Sequence, residues 1–363
     1  MKVNQIYELM NSVTSEILGK EAVLQEDLSN VVDVGTEIFN GTDVDNYVKS
    51  LVNHIGKVVF VNSPYSGNVP SVIMDSWEFG SVLEKIQADI PQAQENDSWN
   101  LTDGVSYDTN VFYKPSVSAK FFNKKVTFEV PMSFTELQVK ESFTSANQLN
   151  GFLSMLYNAV ENSMTIKIDS LIMRTINNMI AETVYNDIPG GTLTVDKALS
   201  DEGFIKYSTY VINLYVDRLS KISTLFNVGG KERFTPKDKL NIVMLSDFKA
   251  SSNIYLQANT FNKDLVELPK ADTIPYWQSS GKNYSLEDIS SINVKLTKEG
   301  TSNRIVNMSG ILAVMFDRNA LGVTNLDRRV TTNYNAKAEF YNNYYKFDAG
   351  YFNDLNENFV VFF

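Results

Sequence analysis

Cysteine is absent from the 363 residues, and histidine occurs once, at His54. The first absence removes disulfides, thiol nucleophiles and thiolate metal sites together, and it fits a reducing compartment. The second excludes zinc centres built on several histidines and leaves a Ser-His-Asp triad one residue to use. No run is long and apolar enough to cross a membrane. The opening MKVNQIYELMNSV lacks the apolar block and small-residue cleavage site of a secretory leader. There is no basic excess either. The formal net charge is -11, which argues against a general nucleic-acid binder, because phosphate contacts call for a cationic face. Gly229-Gly230-Lys231 lacks the spacing of a phosphate loop and is not followed by Ser or Thr. The pairs Asp43/Asp45 and Glu287/Asp288 lack the glycine and spacing of a calcium loop, and they read as solvated turn and cap residues.

What is present is apolar and aromatic. Hydrophobic residues make up 43% of the chain, enough to bury a real core, and 22 Phe and 18 Tyr suit extensive β structure and large contact surfaces. The most regular stretch is Ser145 to Tyr185, which holds no proline. Apolar residues fall there at Leu149, Phe152, Leu153, Leu156, Val160, Met164, Ile168, Leu171, Ile172, Ile176, Met179 and Ile180. Steps of three and four keep one stripe on one face of a helix. A helix of roughly 38 residues is about 57 Å long at ~1.5 Å per residue, well beyond the globular mean of roughly 11 to 12 residues. Such a rod is a spine, with Leu156, Val160, Ile168, Leu171, Ile172 and Ile176 as its core positions.

The rest of the chain is read around it. Residues 1–57 carry helical pieces that break at Gly41, with Thr42 or Asp43 capping a helix through Tyr47, Leu51, Val52 and Ile55. His54 falls near the end of that helix, where a cation would favour the dipole; a structural role suits it better than a catalytic one. Val58-Val59-Phe60-Val61 reads as a short strand. A long, broken, polar and aromatic region follows, with Trp77, Trp99, Tyr107, Phe112, Tyr113, Phe121 and Phe122. It ends on Val126, Phe128 and Val130, which alternate with Thr127 and Glu129 as a strand does. So long a loop is uncommon in a compact domain, and an isolated hairpin is marginal in water. Either the region folds back on its own body or it is an arm that lies on a neighbouring subunit. In the second case Trp77, Trp99, Phe112, Tyr113, Phe121 and Phe122 are its interface residues.

After the spine, Pro189-Gly190-Gly191 marks a turn, and Phe204 to Phe226 reads as a second helix through Val211, Leu214, Tyr215, Leu219 and Ile222. Leu240 to Leu245 is a buried strand, followed by a helix capped at Ser246 or Asp247. Gly310 to Phe316 is another strand, with a turn at Asp317-Arg318-Asn319. Tyr345, Phe347, Ala349 and Tyr351 share one face of an aromatic strand. Phe359-Val360-Val361-Phe362-Phe363 pairs in a sheet. The class is α+β.

This element order resembles the major capsid proteins of tailed phages with the Hong Kong 97 type fold, and within them the capsid proteins of small podoviruses of Gram-positive bacteria. The resembling stretches are Asn30 to Gly35, Leu51 to Val59, Leu312 to Arg318 and Tyr341 to Tyr345. They are diffuse, span nearly the whole chain and carry no catalytic signature. The resemblance implies an N-terminal arm over 1–57, an extended loop over 58–135, a spine helix and peripheral domain over 136–188, an axial domain over 189–305, and a terminal β segment over 306–363 that returns to the peripheral domain. No C-terminal immunoglobulin-like domain is expected. It further implies a structural subunit of pentamers and hexamers in an icosahedral head, assembled in the bacterial cytoplasm. Its partners would be other copies of itself, a scaffolding protein, a portal, and packaged DNA held without sequence-specific binding. No cofactor, metal or membrane is implied. The competing readings are a connector or tail protein, and an enzyme with a cryptic site between Tyr185 and Gly300. One histidine and no recognisable nucleophile weaken the enzyme.

Overall fold

Three helices lead the chain: α1 (Val3–Leu18), α2 (Val31–Asn40) and α3 (Val44–Asn62). The computed structural model describes residues 3–19, 24–26, 28–40, 44–62, 67–74, 83–91, 93–108, 110–114, 116–186, 192–193, 202–257, 269–277, 291–296 and 304–363. Thr42, Asp43 and the Pro189–Gly191 turn lie outside these residues. Helix α3 runs without a break through Val58-Val59-Phe60-Val61, so the strand expected there is helical. Four β-branched or aromatic residues in a row have no period of their own, and a helix already nucleated at Val44 extends through them at the cost of one residue at a time. His54 therefore sits inside α3, away from the helix terminus. Its Nε2 lies 3.1 Å from Glu16 Oε2 on α1, and Ser50 Oγ donates to the same oxygen at 2.6 Å. The single histidine ties two helices together. Gly35 in α2 has a reason to be glycine: a Cβ there would meet Phe143 Cβ at 2.7 Å.

The strands follow. β1 (Ile73–Met74), β2 (Leu83–Ala88), β3 (Val117–Phe122) and β4 (Lys125–Thr135) precede a short helix, α4 (Glu136–Ser142). Thr135 caps α4 by a reciprocal pair: its hydroxyl accepts from the Gln138 amide, and the Gln138 side chain accepts from the Thr135 amide. Ser145 then caps α5 (Ala146–Tyr185), a single helix of 40 residues. Beyond it come β5 (Thr192–Leu193), α6 (Glu202–Leu219), β6 (Leu240–Leu245), α7 (Ser246–Gln257) and β7 (Asp272–Ile274). The chain continues through β8 (Ser291–Leu296), β9 (Arg304–Ser309), β10 (Ala313–Asp317), β11 (Leu321–Asn335), β12 (Phe340–Asn353) and β13 (Phe359–Phe362).

Two sheets flank the spine. One has the order β1-β11-β12-β4, the other β5-β13-β10-β6-β7, and β8 pairs with β9 as a separate hairpin. β12 alternates: Tyr341, Asn343, Tyr345, Phe347 and Ala349 are buried while the residues between them are part-exposed. Phe128 of β4 lies opposite Phe347, with ring centroids 5.1 Å apart. Tyr351 stays part-exposed. In the second sheet β6, β10 and β13 are buried along nearly their whole length, which is why they read as unbroken apolar runs. The segment 306–363 is thus divided between both sheets. Helix α6 stops at Leu219 and does not reach Phe226. The Thr235 amide donates to Leu219 O at 2.7 Å, and Ser223 and Arg233 exchange backbone hydrogen bonds, so the chain turns back and Ile222 points outward. Trp277, which no periodicity signals, is buried and donates from Nε1 to Ile311 O at 2.7 Å.

Helix α5 touches β4, β11 and β12 on one side and β13 and the β8–β9 hairpin on others. Its first half buries a stripe: Leu149, Leu153, Leu156, Val160 and Met164. From Ile168 onward burial goes nearly all round and takes in Ser170, Thr175, Asn177 and Thr183. Thr175 and Thr183 turn their hydroxyls back onto the carbonyls of Leu171 and Met179, which satisfies them inside the core. Leu156, Val160, Ile168, Leu171, Ile172 and Ile176 are all buried. Ile168→Asp would place an unpaired carboxylate here, at an expected cost of roughly 3–5 kcal/mol, whereas Ile168→Val should cost about 1 kcal/mol. Thermal melting of the two variants checks this, and an unchanged melt for Ile168→Asp would contradict the placement.

Candidate interaction surface

Strands β2 and β3 form a two-stranded hairpin that belongs to neither sheet. Their register pairs Leu83 with Phe122, Lys85 with Lys120, Gln87 with Ser118, and, on the opposite face, Glu84 with Phe121, Ile86 with Ala119 and Ala88 with Val117. Beyond the strands the chain makes a long excursion closed by Asp89 N–H donating to Ser116 O at 3.0 Å. Gly104, at φ +81°, turns its far end. Every described side chain from Ile90 to Ala119 is exposed.

The polarity of the hairpin is reversed relative to an ordinary surface element. Lys85, Lys120 and Gln87 face the body, while Ile86, Val117 and Phe121 face solvent. At the excursion the exposure is 93% for Trp99, 84% for Phe112 and 76% for Tyr113, with Leu101 and Val105 also open. So many large apolar side chains left open on one excursion mark a place where another molecule binds.

The inward face meets the loop between β12 and β13. Asp354 Oδ2 accepts from Lys85 Nζ at 2.7 Å and from Gln87 Nε2 at 3.1 Å, and its Oδ1 accepts from Lys120 Nζ at 2.8 Å. Glu357 Oε1 also accepts from Lys85 Nζ, at 2.7 Å. Burial raises the Asp354 carboxyl, but the hydrogen bonds from Lys120 and Lys85 outweigh it, and the net direction is below the usual carboxylate range. Asp89 accepts from Lys231 Nζ at 3.0 Å, and hydrogen bonds from Lys231 and Ser116 lower its pKa too. Phe122 packs on Phe352 at 5.0 Å between centroids.

Clefts among the described residues include one of about 410 Å³ between α4 and the start of α5 and one of about 670 Å³ beside β6. In the first, the Ser142 and Thr144 hydroxyls are spent on the backbone carbonyls of Val139 and Glu141. His54 lines neither. Among the described residues no group of three or more His, Cys, Asp or Glu is placed to hold a metal, and no helix is long and apolar enough to cross a membrane.

The sequence profile of the Phi29-like phage major capsid protein matches residues 10–363. The chain belongs to this family. Among relatives in this Phi29-like family, the major capsid protein of Bacillus phage GA-1 is 20% identical over 350 residues, covering 94% of this chain and 66% of the relative. That of Bacillus phage PZA is 20% identical over 294 residues, covering 79% and 63%. The chain thus spans just under two thirds of the length of these curated relatives. The capsid structure of Staphylococcus phage Andhra matches at 11% identity with a TM-score of 0.55, covering 83% of this chain and 85% of that one. The fold is that of tailed-phage capsid proteins, the Hong Kong 97-like α+β arrangement.

Among the six residues singled out from the sequence of this Phi29-like chain, Trp99, Phe112, Tyr113 and Phe121 lie on the outward surface. Phe122 differs from them: the two-residue period of β3 turns it inward onto Phe352, where it is part-buried within the subunit. Trp77 lies outside the described residues. Ile86 and Val117, which the sequence reading passed over, belong to the outward face; their alternation across a hairpin was the available signal. Trp99→Ala and Phe112→Ala are expected to leave the melting of the isolated subunit within about 0.5 kcal/mol of the parent, and Phe122→Ala to lower it by roughly 1–2 kcal/mol; chemical denaturation measures both. Because the Asp354 pKa is depressed in the fold, its contribution is complete above the unfolded aspartate value of ~3.9 and is lost as pH falls through the lower folded value. Exchange protection of β2 and β3 should therefore be flat from pH 5 to 8, after correction for intrinsic exchange, and collapse only in stronger acid.

Proposed function

We propose that the chain is the shell-forming subunit of a phage head and that the arm built on β2 and β3 is a contact between copies. The observation that carries this is the hairpin that turns Lys85, Gln87 and Lys120 inward and Ile86, Val117 and Phe121 outward, extended by exposed aromatics. In a lone protomer that surface stands in water at an unfavourable ~25 cal/mol per Å² of apolar area. Its burial energy becomes available only on association. A lattice subunit gains from withholding it, because the energy is then released in the contact between copies and drives their association.

In this reading residues 1–57 act as the N-terminal arm and 58–135 as the extended loop. The spine helix and peripheral domain occupy 136–188 and the axial domain 189–305, and 306–363 closes both sheets. Copies form pentamers and hexamers of an icosahedral virion capsid in the host bacterial cytoplasm, with a scaffolding protein and a portal as partners. The net charge of -11 suits a wall that encloses DNA without gripping it. The role is structural and involves no catalysis.

The full chain, expressed in bacteria with the scaffolding protein of its own phage, is expected to yield closed megadalton particles by sedimentation and electron microscopy. A single fixed ring would identify a connector, and a small oligomer that turns over a substrate would overturn the reading. Replacing Pro91 to Lys114 with a short Gly/Ser turn keeps the Asp89–Ser116 closure and the lysines. The variant subunit should melt as the parent does and should fail to give stable particles. Normal particles from this variant would show that the arm is dispensable.

A further inference from the structure

We infer that Asp354 is the positioning residue of the arm: by gripping one lysine from each strand of the hairpin, it sets the angle at which the apolar face leaves the subunit. The inference rests on reading the arm as a contact between copies.

Three observations converge on it. Lys85 and Lys120 are direct cross-strand partners on the same face. Like charges so placed repel and destabilise a two-stranded ribbon, which has little stability of its own. The pair is tolerable only with an anion between them, and Asp354 supplies one oxygen to each. The hairpin is thus held together and held down by the same carboxylate.

Second, the seat is rigid. The side chain of Asp354 is 0% exposed. The Asp354 amide donates to Ala320 O at 2.7 Å, the Gly229 amide to Leu355 O at 2.8 Å, and the Asp317 amide to Asn358 O at 3.0 Å. A Cβ at Gly229 would collide with the Asn356 side chain, so the neighbouring turn is glycine where it closes on the loop. The loop runs directly from β12 into β13, and so is tied to both sheets.

Third, the grip is nearly saturated. Lys85 Nζ also reaches Asn319 O at 3.3 Å. Gln87 donates to both Asp354 and Glu357, and Arg233 Nε stands 3.8 Å from Glu357. The charged groups facing Asp354 are therefore Lys85 from β2, Lys120 from β3 and Glu357 from its own loop, with Arg233 behind Glu357. Charge-assisted bonds of this kind fix direction as well as energy.

The geometric leverage is large. The chain beyond Asp89 can reach up to about 40 Å before it must turn back, so a tilt of about 10° at the root moves its far end by up to about 7 Å. An interface tolerates misplacement of only about 0.5 Å. A carboxylate at the root therefore governs whether aromatics far from it meet their partner.

The test uses the full chain carrying Asp354→Asn, with Lys120→Met as a second variant whose side chain is one-third exposed and less demanding of the fold. Hydrogen exchange is measured on isolated subunits and particle yield on co-expressed material. Amides of β2 and β3 should exchange at least about tenfold faster in Asp354→Asn, the order expected when charge-assisted hydrogen bonds to a buried group are lost. Those of β10 and α5 should be unchanged, and particle yield should fall severalfold. A general loss of stability would instead raise exchange everywhere. Lys120→Met, which loses one bond and also the like-charge pair, should fall between parent and Asp354→Asn. Unchanged hairpin exchange in both variants overturns the inference, as does faster hairpin exchange with normal particle yield. If Asp354→Asn does not fold, Lys120→Met decides by the same two readouts. Failure of the unsubstituted chain to form particles would count against the assembly reading alone, because exchange on the isolated subunit still reports whether Asp354 holds the arm.

Discussion

A forty-residue helix cannot cover itself, and the rest of this molecule is arranged to cover α5. Its first half needs one wall and presents one stripe. Its second half, from Ile168, needs walls on several sides, and these come from parts of the chain far apart in sequence. Strands β4, β11 and β12 form one, β13 another, and the β8–β9 hairpin a third. Arg304 of β9 stacks its guanidinium 4.2 Å from the Tyr185 ring centroid at the last residue of the helix. Two of the polar residues in the enclosed half, Thr175 and Thr183, bond to the helix's own backbone. The two sheets thus share one helix as a common wall.

Against that rigid body the arm is an exception that the body tolerates. Its inner face obeys electrostatics and its outer face is left without cover in the subunit. Ordinary burial accounting would turn Ile86, Val117 and Phe121 inward. The opposite arrangement persists because Lys85, Lys120 and Gln87 have partners on the body that no apolar residue could satisfy: Asp354 is wholly enclosed, and removing its cations would strand a charge. Ion pairing with the body and outward apolar exposure thus fall on alternate residues of the same two strands.

Periodicity carried much of the fold in the sequence. The α5 stripe, the apolar runs of β6, β10 and β13, and the alternation of Val126, Phe128 and Val130 each repeat over enough residues to be read. Short runs were not legible. Val58 to Val61 has strand composition and helix context, and context decides. Phe121 and Phe122 show the limit at the candidate surface: adjacent aromatics on a strand must face opposite ways, but nothing local says which way is in. The deciding partner, Phe352, lies in the last eighth of the chain. The same distance hides Asp354, whose sequence neighbourhood of Asn and Glu reads as a solvated turn. Trp277 stands among residues with no period at all, and only the carbonyl of Ile311 explains it.

The placement of β13 has a consequence for the order of events during synthesis. It lies between β10 and β5, and it follows every element that it touches. Strand β1 likewise waits for β11, since Ile73 pairs with Val323. While the ribosome is still making the middle of the chain, α5 has emerged with its enclosed half bare. Closing the first sheet then requires contacts between segments more than two hundred residues apart, the kind that form slowly and leave apolar surface open to wrong partners. The seat for the arm is made just before β13. A nascent chain therefore holds an unanchored arm until nearly all its described residues are out, and the direction of the arm is set only after most of the body has been made.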